Sequence, residues 1–558
     1  MNASIRIRRF AVVAVWLSGA ILAMAQYQKS SEPAKPSATE TAELILTNGQ
    51  IYTPAQPTAA TTVEIRADQP GATINKNVYG QFSEHLGSGI YGGIYVGENS
   101  LIPNTRGFRN DVIAALKELK VPMVRWPGGC FADEYHWRDG IGPKEKRPVR
   151  INTNWGGVPE SNAFGTHEFF DFVEMIGADA YVNANVGTGS PQEAAQWLEY
   201  MTGDQDTTLV KERKANGRET PWKVSVYAIG NETWGCGGNM RPEFYADVYN
   251  QYATFMKARP GAMPELLASG DHDDQTTFTA ALMKNVRGRM DAISLHYYTI
   301  LGPRWENKDT ATGFSEAGWI NTLANTLKMD GFIKNQDALL TDFEQKRFGG
   351  APRKKTGLYV DEWGTWYKPE PGSNPGFLVQ QNTLRDAVVA AANFNIFHKY
   401  ADRVRMTAIA QTINVLQAMI LTDGPKMILT PTYHVFHMYR PFQDAVSLPI
   451  DIKTGTYEHA KWSVPQVSAS AARAKDGSIV IGLANLDPHR TAGVSASIAG
   501  LQVRQVKGEL LTADAMDAHN TFEDHNAIHP VVFDGAKLAG NKLSLTLPAK
   551  SVVVLKLQ

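Results

Sequence analysis

Val224-Ser225-Val226-Tyr227-Ala228-Ile229-Gly230-Asn231-Glu232-Thr233-Trp234 reads as a buried strand that delivers an Asn-Glu pair into a glycine-containing turn. A second stretch, Gly357-Leu358-Tyr359-Val360-Asp361-Glu362-Trp363, repeats the design, an apolar run ending on Glu followed by an aromatic. Outward from these two, short apolar runs alternate with helical stretches, the rhythm of a parallel sheet built from βα units. The runs fall at residues 78–82, 122–126, 180–186, 224–229, 265–268, 292–295, 358–360 and 406–413. Eight such units predict an α/β chain with a closed (β/α)8 TIM barrel over residues 75–449, whose site lies at the C-terminal ends of its strands. An open doubly wound sheet is the alternative, but no G-x-G-x-x-G turn follows an early strand.

Past residue 449 the helical periods stop. Residues 467–471, 479–483, 494–498, 543–547 and 551–557 alternate or run apolar between Gly, Asp and Pro turns, which predicts an all-β, jelly-roll-like sandwich over 450–558. The alternating segment 61–74, with Val63, Ile65 and Ala67 against Glu64, Arg66 and Asp68, precedes the barrel rhythm and is expected to join that sandwich. Residues 26–60 have linker composition, within which 44–52 predicts a hairpin around Asn48-Gly49. At the start of the chain Arg6, Arg8 and Arg9 precede an apolar run to Met24, and Ala23-Met24-Ala25 supplies a cleavage pattern. Residues 1–25 therefore read as a signal peptide, and the protein as exported, periplasmic or extracellular, with no membrane association after cleavage.

The formal net charge of −1 and the absence of like-charge blocks give no basic surface, so no nucleic-acid partner is expected. Twelve Trp and twenty Tyr suit stacking on sugar rings as well as a large core. Only Cys130 and Cys236 are present, which excludes a disulfide framework and leaves their pairing open.

The polar residues cluster by position. The first predicted strand leads into Ser83-Glu84-His85, the second ends in Arg125-Trp126-Pro127-Gly128-Gly129-Cys130, and the fourth ends on Asn231-Glu232. The sixth runs into His296-Tyr297-Tyr298, the seventh into Glu362-Trp363, and the eighth carries Gln411 and Asn414. Singly, Glu84 reads equally as a solvated loop carboxylate and His296 as a satisfied core histidine. Jointly they mark one barrel face, because buried ionisable groups are costly unless a site uses them. Two carboxylates there are what glycoside hydrolysis requires, one to protonate the leaving oxygen and one to attack or to activate water.

The ordered motifs Tyr79-Gly80-Gln81-Phe82-Ser83-Glu84-His85-Leu86-Gly87, Arg125 to Phe131, Gly230-Asn231-Glu232-Thr233-Trp234-Gly235, His296-Tyr297-Tyr298, Asp361-Glu362-Trp363 and Ala410-Gln411-Thr412-Ile413-Asn414-Val415-Leu416 resemble the α-L-arabinofuranosidases of glycoside hydrolase family 51. The resemblance runs from about residue 61 to the C-terminus. It implies a retaining exo-glycosidase, without metal or organic cofactor, that removes terminal α-L-arabinofuranosyl groups from arabinan, arabinoxylan or their oligosaccharides, and that forms a homo-oligomer, a hexamer in many relatives. Glu232 would be the general acid/base and Glu362 the nucleophile, with Arg125 and Tyr298 as donors to Glu362. Glu84, Asn231 and Gln411 would hold the furanose, and His296 would orient Glu232. Trp155 and Trp366 would wall the pocket, with core packing as their structural reading, and Cys130 would lie against the sugar, offering its backbone amide. Thr233 to Cys236 are expected to shape the leaving-group side. The same resemblance admits an endo-β-1,4-glucanase, which needs an open cleft. A non-catalytic carbohydrate-binding barrel would require the loss of a carboxylate, and both are present.

Overall fold

The computed structural model describes residues 45–47, 50–52, 61–302, 308–349, 354–500 and 503–558. The signal peptide expected at 1–25 lies outside these, as does most of the linker expected at 26–60. Within that stretch Ile45–Thr47 and Gln50–Tyr52 pair antiparallel, Thr47 opposite Gln50.

Eight parallel strands close a barrel: β1 (Gly80–Phe82), β2 (Met123–Trp126), β3 (Asp179–Ala184), β4 (Val224–Ile229), β5 (Glu265–His272), β6 (Ala292–Thr299), β7 (Gly357–Thr365) and β8 (Val404–Ala410). They pair in sequence order, and β8 closes on β1. β2 and β7 are buried at every position, which is why they read as continuous apolar runs: parallel strands are covered on one face by helices and on the other by the barrel interior. Met123, Tyr181, Val226, Leu267, Tyr359 and Met406 fill that interior and form the floor beneath the strand ends. Among the described residues no helix is long and apolar enough to cross a membrane.

Two further sheets pack on a second core that includes Val63, Ile65, Ile481, Leu545 and Leu555. The strand Thr61–Arg66 sits inside one of them, parallel to Ala492–Ala499 and antiparallel to Ile450–Lys453. Its strict alternation of buried and exposed residues fits a sheet with one face on the core.

The helix Leu384–Lys399 joins the two halves. It starts on a Thr383/Asp386 capping box and is buried around almost its whole circumference, because it is held between β7 and the sheet containing Val467–Arg473 and Ile479–Asn485. Near its end, His398 lies 2.7 Å from the Tyr79 hydroxyl and 2.9 Å from Ser470 Oγ. Burial lowers the His398 pKa to about 3. An unfolded histidine titrates near about 6.5. Between those values the unfolded chain binds a proton that the native protein does not, so this histidine's contribution to stability falls as pH drops from about 6.5 toward 3. His398→Gln removes the titration. Its melting temperature is therefore expected to fall less between pH 7 and pH 5 than that of the wild type; equal falls would contradict the assignment.

Candidate active site

At the C-terminal end of the barrel a cavity of about 570 Å³ is lined by Glu84, Cys130, Trp155, Glu232, His296, Tyr298, Glu362, Trp366 and Gln411, among others. These are nine of the eleven side chains singled out in the sequence. The other two, Arg125 and Asn231, are buried beside it, with Arg125 donating to both Glu362 and Asn231.

Local chain geometry turns each side chain inward. After β4, Gly230 and Glu232 both take positive φ, +82° and +39°, and the Glu232 carbonyl accepts from the amides of Gly235 and Gly237. The tight turn points the Glu232 carboxyl into the cavity. Behind it, the buried Asp133 carboxylate accepts from the amides of Asn231, Val186 and Gly187 and so ties the ends of β3 and β4 together. After β2, Gly128 and Gly129 are required for close approach. A Cβ on Gly129 would lie 2.7 Å from Glu362 Oε1, and one on Gly128 2.6 Å from Glu84 Cγ.

β7 carries a bulge. Tyr359 to Glu362 spans the distance that Ser294 to His296 spans on β6, and Val360 to Trp363 matches Thr407 to Ile409 on β8. The extra residue interrupts the alternation of the strand, so the consecutive residues Asp361 and Glu362 both reach Arg125. Arg125 donates to Glu362 Oε1 at 2.8 Å and to Asn231 Oδ1 at 2.5 Å, and its Nε lies 3.6 Å from Asp361 Oδ2. The Tyr298 hydroxyl donates to Glu362 Oε2 at 2.8 Å. Both expected donors to Glu362 are therefore in place.

His296 Nδ1 lies 2.8 Å from Glu232 Oε1 and 3.6 Å from Glu362 Oε2, and oxygens of the two glutamates approach within 4.8 Å. Burial raises the Glu232 pKa; the His296 hydrogen bond opposes the shift and the Glu362 charge reinforces it. Glu84 accepts from the amides of Gly129 and Phe131 and from Gln411 Nε2 at 3.1 Å, while Gln411 Oε1 accepts from the Glu84 amide. Burial, aided by the charge of Glu362, lifts the Glu84 pKa to about 7.

Cys130 and Cys236 are joined by a disulfide, which binds the loop after β2 to the loop after β4. The amides used near Cys130 are those of its neighbours Gly129 and Phe131, and Cys236 Sγ lies 3.5 Å from Glu232 Oε2. Trp366 packs edge-on against Tyr298 and, like Trp155, is partly buried at the wall. Trp234 lies against His272 with ring centroids 4.0 Å apart, and both line the cavity together with Asp273, Lys328 and Phe332. Asp361, Asp133 and His272 had not been singled out. A carboxylate inside a continuous apolar strand was the signal available for Asp361; the other two carry no distinctive spacing.

Two family models match the chain, the α-L-arabinofuranosidase 1 domain over residues 115–310 and the α-L-arabinofuranosidase C-terminal domain over 361–551. An intracellular exo-α-L-arabinofuranosidase from Bacteroides ovatus is 47% identical over 501 residues, 89% of this chain and 95% of the relative. The crystal structure of a GH51 arabinofuranosidase from Xanthomonas axonopodis pv. citri superposes with a TM-score of 0.87 at 53% identity, covering 89% of this chain and all of that one. An α-L-arabinofuranosidase from Thermotoga maritima, solved as an arabinose complex, gives 0.77 at 28% identity, covering 89% of this chain and 99% of that one. The expectation of a signal peptide and export is overturned by the Bacteroides ovatus relative, which is named intracellular and matches nearly the whole chain. A basic, apolar, small-residue run is a compositional pattern and does not by itself fix a destination.

Proposed function

The chain belongs to the α-L-arabinofuranosidases of glycoside hydrolase family 51, and from that premise we propose that it is an exo-acting, retaining enzyme that releases terminal α-L-arabinofuranosyl groups from arabinan, arabinoxylan or their oligosaccharides. The observation that carries the reading is the approach of Glu232 and Glu362 oxygens within 4.8 Å at the floor of a walled cavity. A retaining pair stands about 5–5.5 Å apart, whereas an inverting pair must leave room for a water at about 6.5–9.5 Å.

In the first step a Glu362 oxygen attacks the anomeric carbon, the bond from that carbon to the leaving oxygen breaks, and Glu232 passes its proton to that oxygen. In the second, Glu232 takes a proton from water, the hydroxide oxygen bonds the anomeric carbon, and Glu362 departs as a carboxylate. Loss of the Glu362 charge in the intermediate lowers the Glu232 pKa and converts it from acid to base. Glu84 and Gln411 face the sugar as a hydrogen-bonded pair, and Trp155 and Trp366 close its sides. Asn231, fixed through Arg125, stands beside both glutamates, where a contact to the 2-hydroxyl strengthens in the transition state. Trp234 with His272 offers an aromatic surface to the leaving group.

A substrate panel tests the reading. Free arabinose is expected from arabinan, arabinoxylan and nitrophenyl α-L-arabinofuranoside, with no reducing ends from carboxymethylcellulose. Cleavage of the cellulose derivative without arabinose release would favour the endo-glucanase reading instead.

A further inference from the structure

Asp361 is 1% exposed, lies beside the proposed nucleophile, and is not itself in the cavity wall. Its Oδ2 accepts from the Tyr181 hydroxyl at 2.6 Å and lies 3.6 Å from Arg125 Nε, while its Oδ1 lies 3.2 Å from His296 Nε2. The imidazole thus has a carboxyl group on each nitrogen, Asp361 on Nε2 and Glu232 on Nδ1. The other ionisable groups around it are Glu362 from β7, Tyr298 on its own strand, and Arg125 from β2, one layer away. His272 at the end of β5 pairs with its backbone, and the amide of the following Asp273 donates to its carbonyl.

A neutral imidazole donates from one nitrogen and accepts at the other. The Asp361 carboxylate, 3.2 Å from Nε2, favours a proton on that nitrogen by its charge, and a neutral ring protonated there would present a lone pair at Nδ1 and draw the Glu232 proton onto Oε1, away from the leaving group. A charged ring donates from both nitrogens and excludes that arrangement. Resting on the assignment of Glu232 as acid/base, we propose that Asp361 is a positioning residue: it keeps His296 doubly protonated, so that Nδ1–H occupies Glu232 Oε1 and the proton to be transferred is confined to Oε2. Oε2 is the oxygen on the side of Cys236, whose Sγ lies 3.5 Å away in the same loop as Trp234, the cavity-lining residue assigned above to the leaving group. After the proton has gone to the leaving oxygen, the same imidazolium stabilises the Glu232 carboxylate that must then accept a proton from water. The electrostatics agree with the geometry: burial lowers the His296 pKa, but the charges of Glu362 and Asp361 outweigh it and bring it to about 10.

In Asp361→Asn the amide keeps the shape and removes the charge. The His296 pKa then falls, with Glu362 left as the main charge holding the ring proton, and the cation 2.8 Å from the Glu232 oxygen is less firmly maintained. Its own proton is held more tightly, partly in the unproductive direction. The expected loss in kcat/KM on an arabino-oligosaccharide, whose leaving group needs the proton, is about 10²-fold, the lower end of what general acid catalysis supplies. On a dinitrophenyl arabinofuranoside, which needs none, the loss is expected to be severalfold smaller, and the alkaline limb of kcat/KM should move to higher pH. Equal losses on both substrates with an unmoved limb would indicate mere structural damage and overturn the proposal, as would undiminished activity. Should the variant fail to fold, the wild type answers the question. With 15N-labelled histidine, both ring nitrogens of His296, assigned by their disappearance in His296→Gln, should be protonated at pH 8, and a neutral ring would overturn the proposal. Azide rescue of Glu232→Ala separates the two layers: rescue there with a uniform loss in Asp361→Asn rejects this inference alone, whereas no rescue rejects the acid/base assignment beneath it.

Discussion

Glu362→Ala is expected to lower kcat on every arabinofuranoside by on the order of 10⁴- to 10⁶-fold, the scale on which removal of an attacking group is felt in covalent catalysis. The side chain is fixed from two sides, by Arg125 at 2.8 Å on one oxygen and Tyr298 at 2.8 Å on the other, and its truncation removes the carboxylate assigned to bond the anomeric carbon. Because Glu84, Gln411, Trp155 and Trp366 remain, binding should persist, and titration of arabinose or a slow substrate into the variant should give an affinity close to that of the wild type. The loss should not depend on leaving-group acidity, since attack is needed whatever departs. Nitrophenol release at the wild-type rate would remove Glu362 from the role.

Glu232→Ala is expected to behave differently, and the difference identifies it. On oligosaccharides the rate should fall about 10²- to 10⁴-fold, the usual contribution of a positioned acid/base. On a dinitrophenyl arabinofuranoside the first step needs no proton, so the glycosyl-enzyme should form and then wait for a base that is missing. Rapid mixing should show a burst of nitrophenolate followed by a slow steady state. Azide, which attacks without deprotonation and fits the space left by the carboxyl, should accelerate the steady state and give an arabinosyl azide of retained configuration. A steady state indifferent to azide would count against Glu232 as the acid/base.

The barrel was legible because its strands are short apolar runs buried on both faces, and each of the eight predicted positions holds one. Their C-terminal extents were not. The runs at 265–268, 292–295 and 358–360 continue as strand to His272, Thr299 and Thr365. These extensions are polar and exist because they pair with one another, His272 with His296 and Tyr298 with Gly364, a tertiary effect invisible to local periodicity. The eighth run errs the other way, ending at Ala410 rather than 413, so Gln411 belongs to a loop that pairs with Glu84. Asp361 was hidden by the period of two: with Glu362 facing inward, simple alternation turns its neighbour outward, and only the bulge between Val360 and Trp363 reverses this. The pairing of Cys130 with Cys236 depends on the tertiary order of the sheet, in which β3 lies between β2 and β4 and the loops after those two strands meet across its end.

That pairing has a consequence for the chain as a polymer. The bond joins residues 106 apart and encloses the whole of β3 and β4 with the helices Thr166–Ile176 and Pro191–Thr202. In the loop-closure account a ring of this size removes about 5 kcal/mol of conformational freedom from the unfolded ensemble, comparable to the whole net stability of many domains. The reduced chain must therefore draw the same native state from a far larger population of open conformers, and its resistance to unfolding depends on the thiol chemistry of its surroundings.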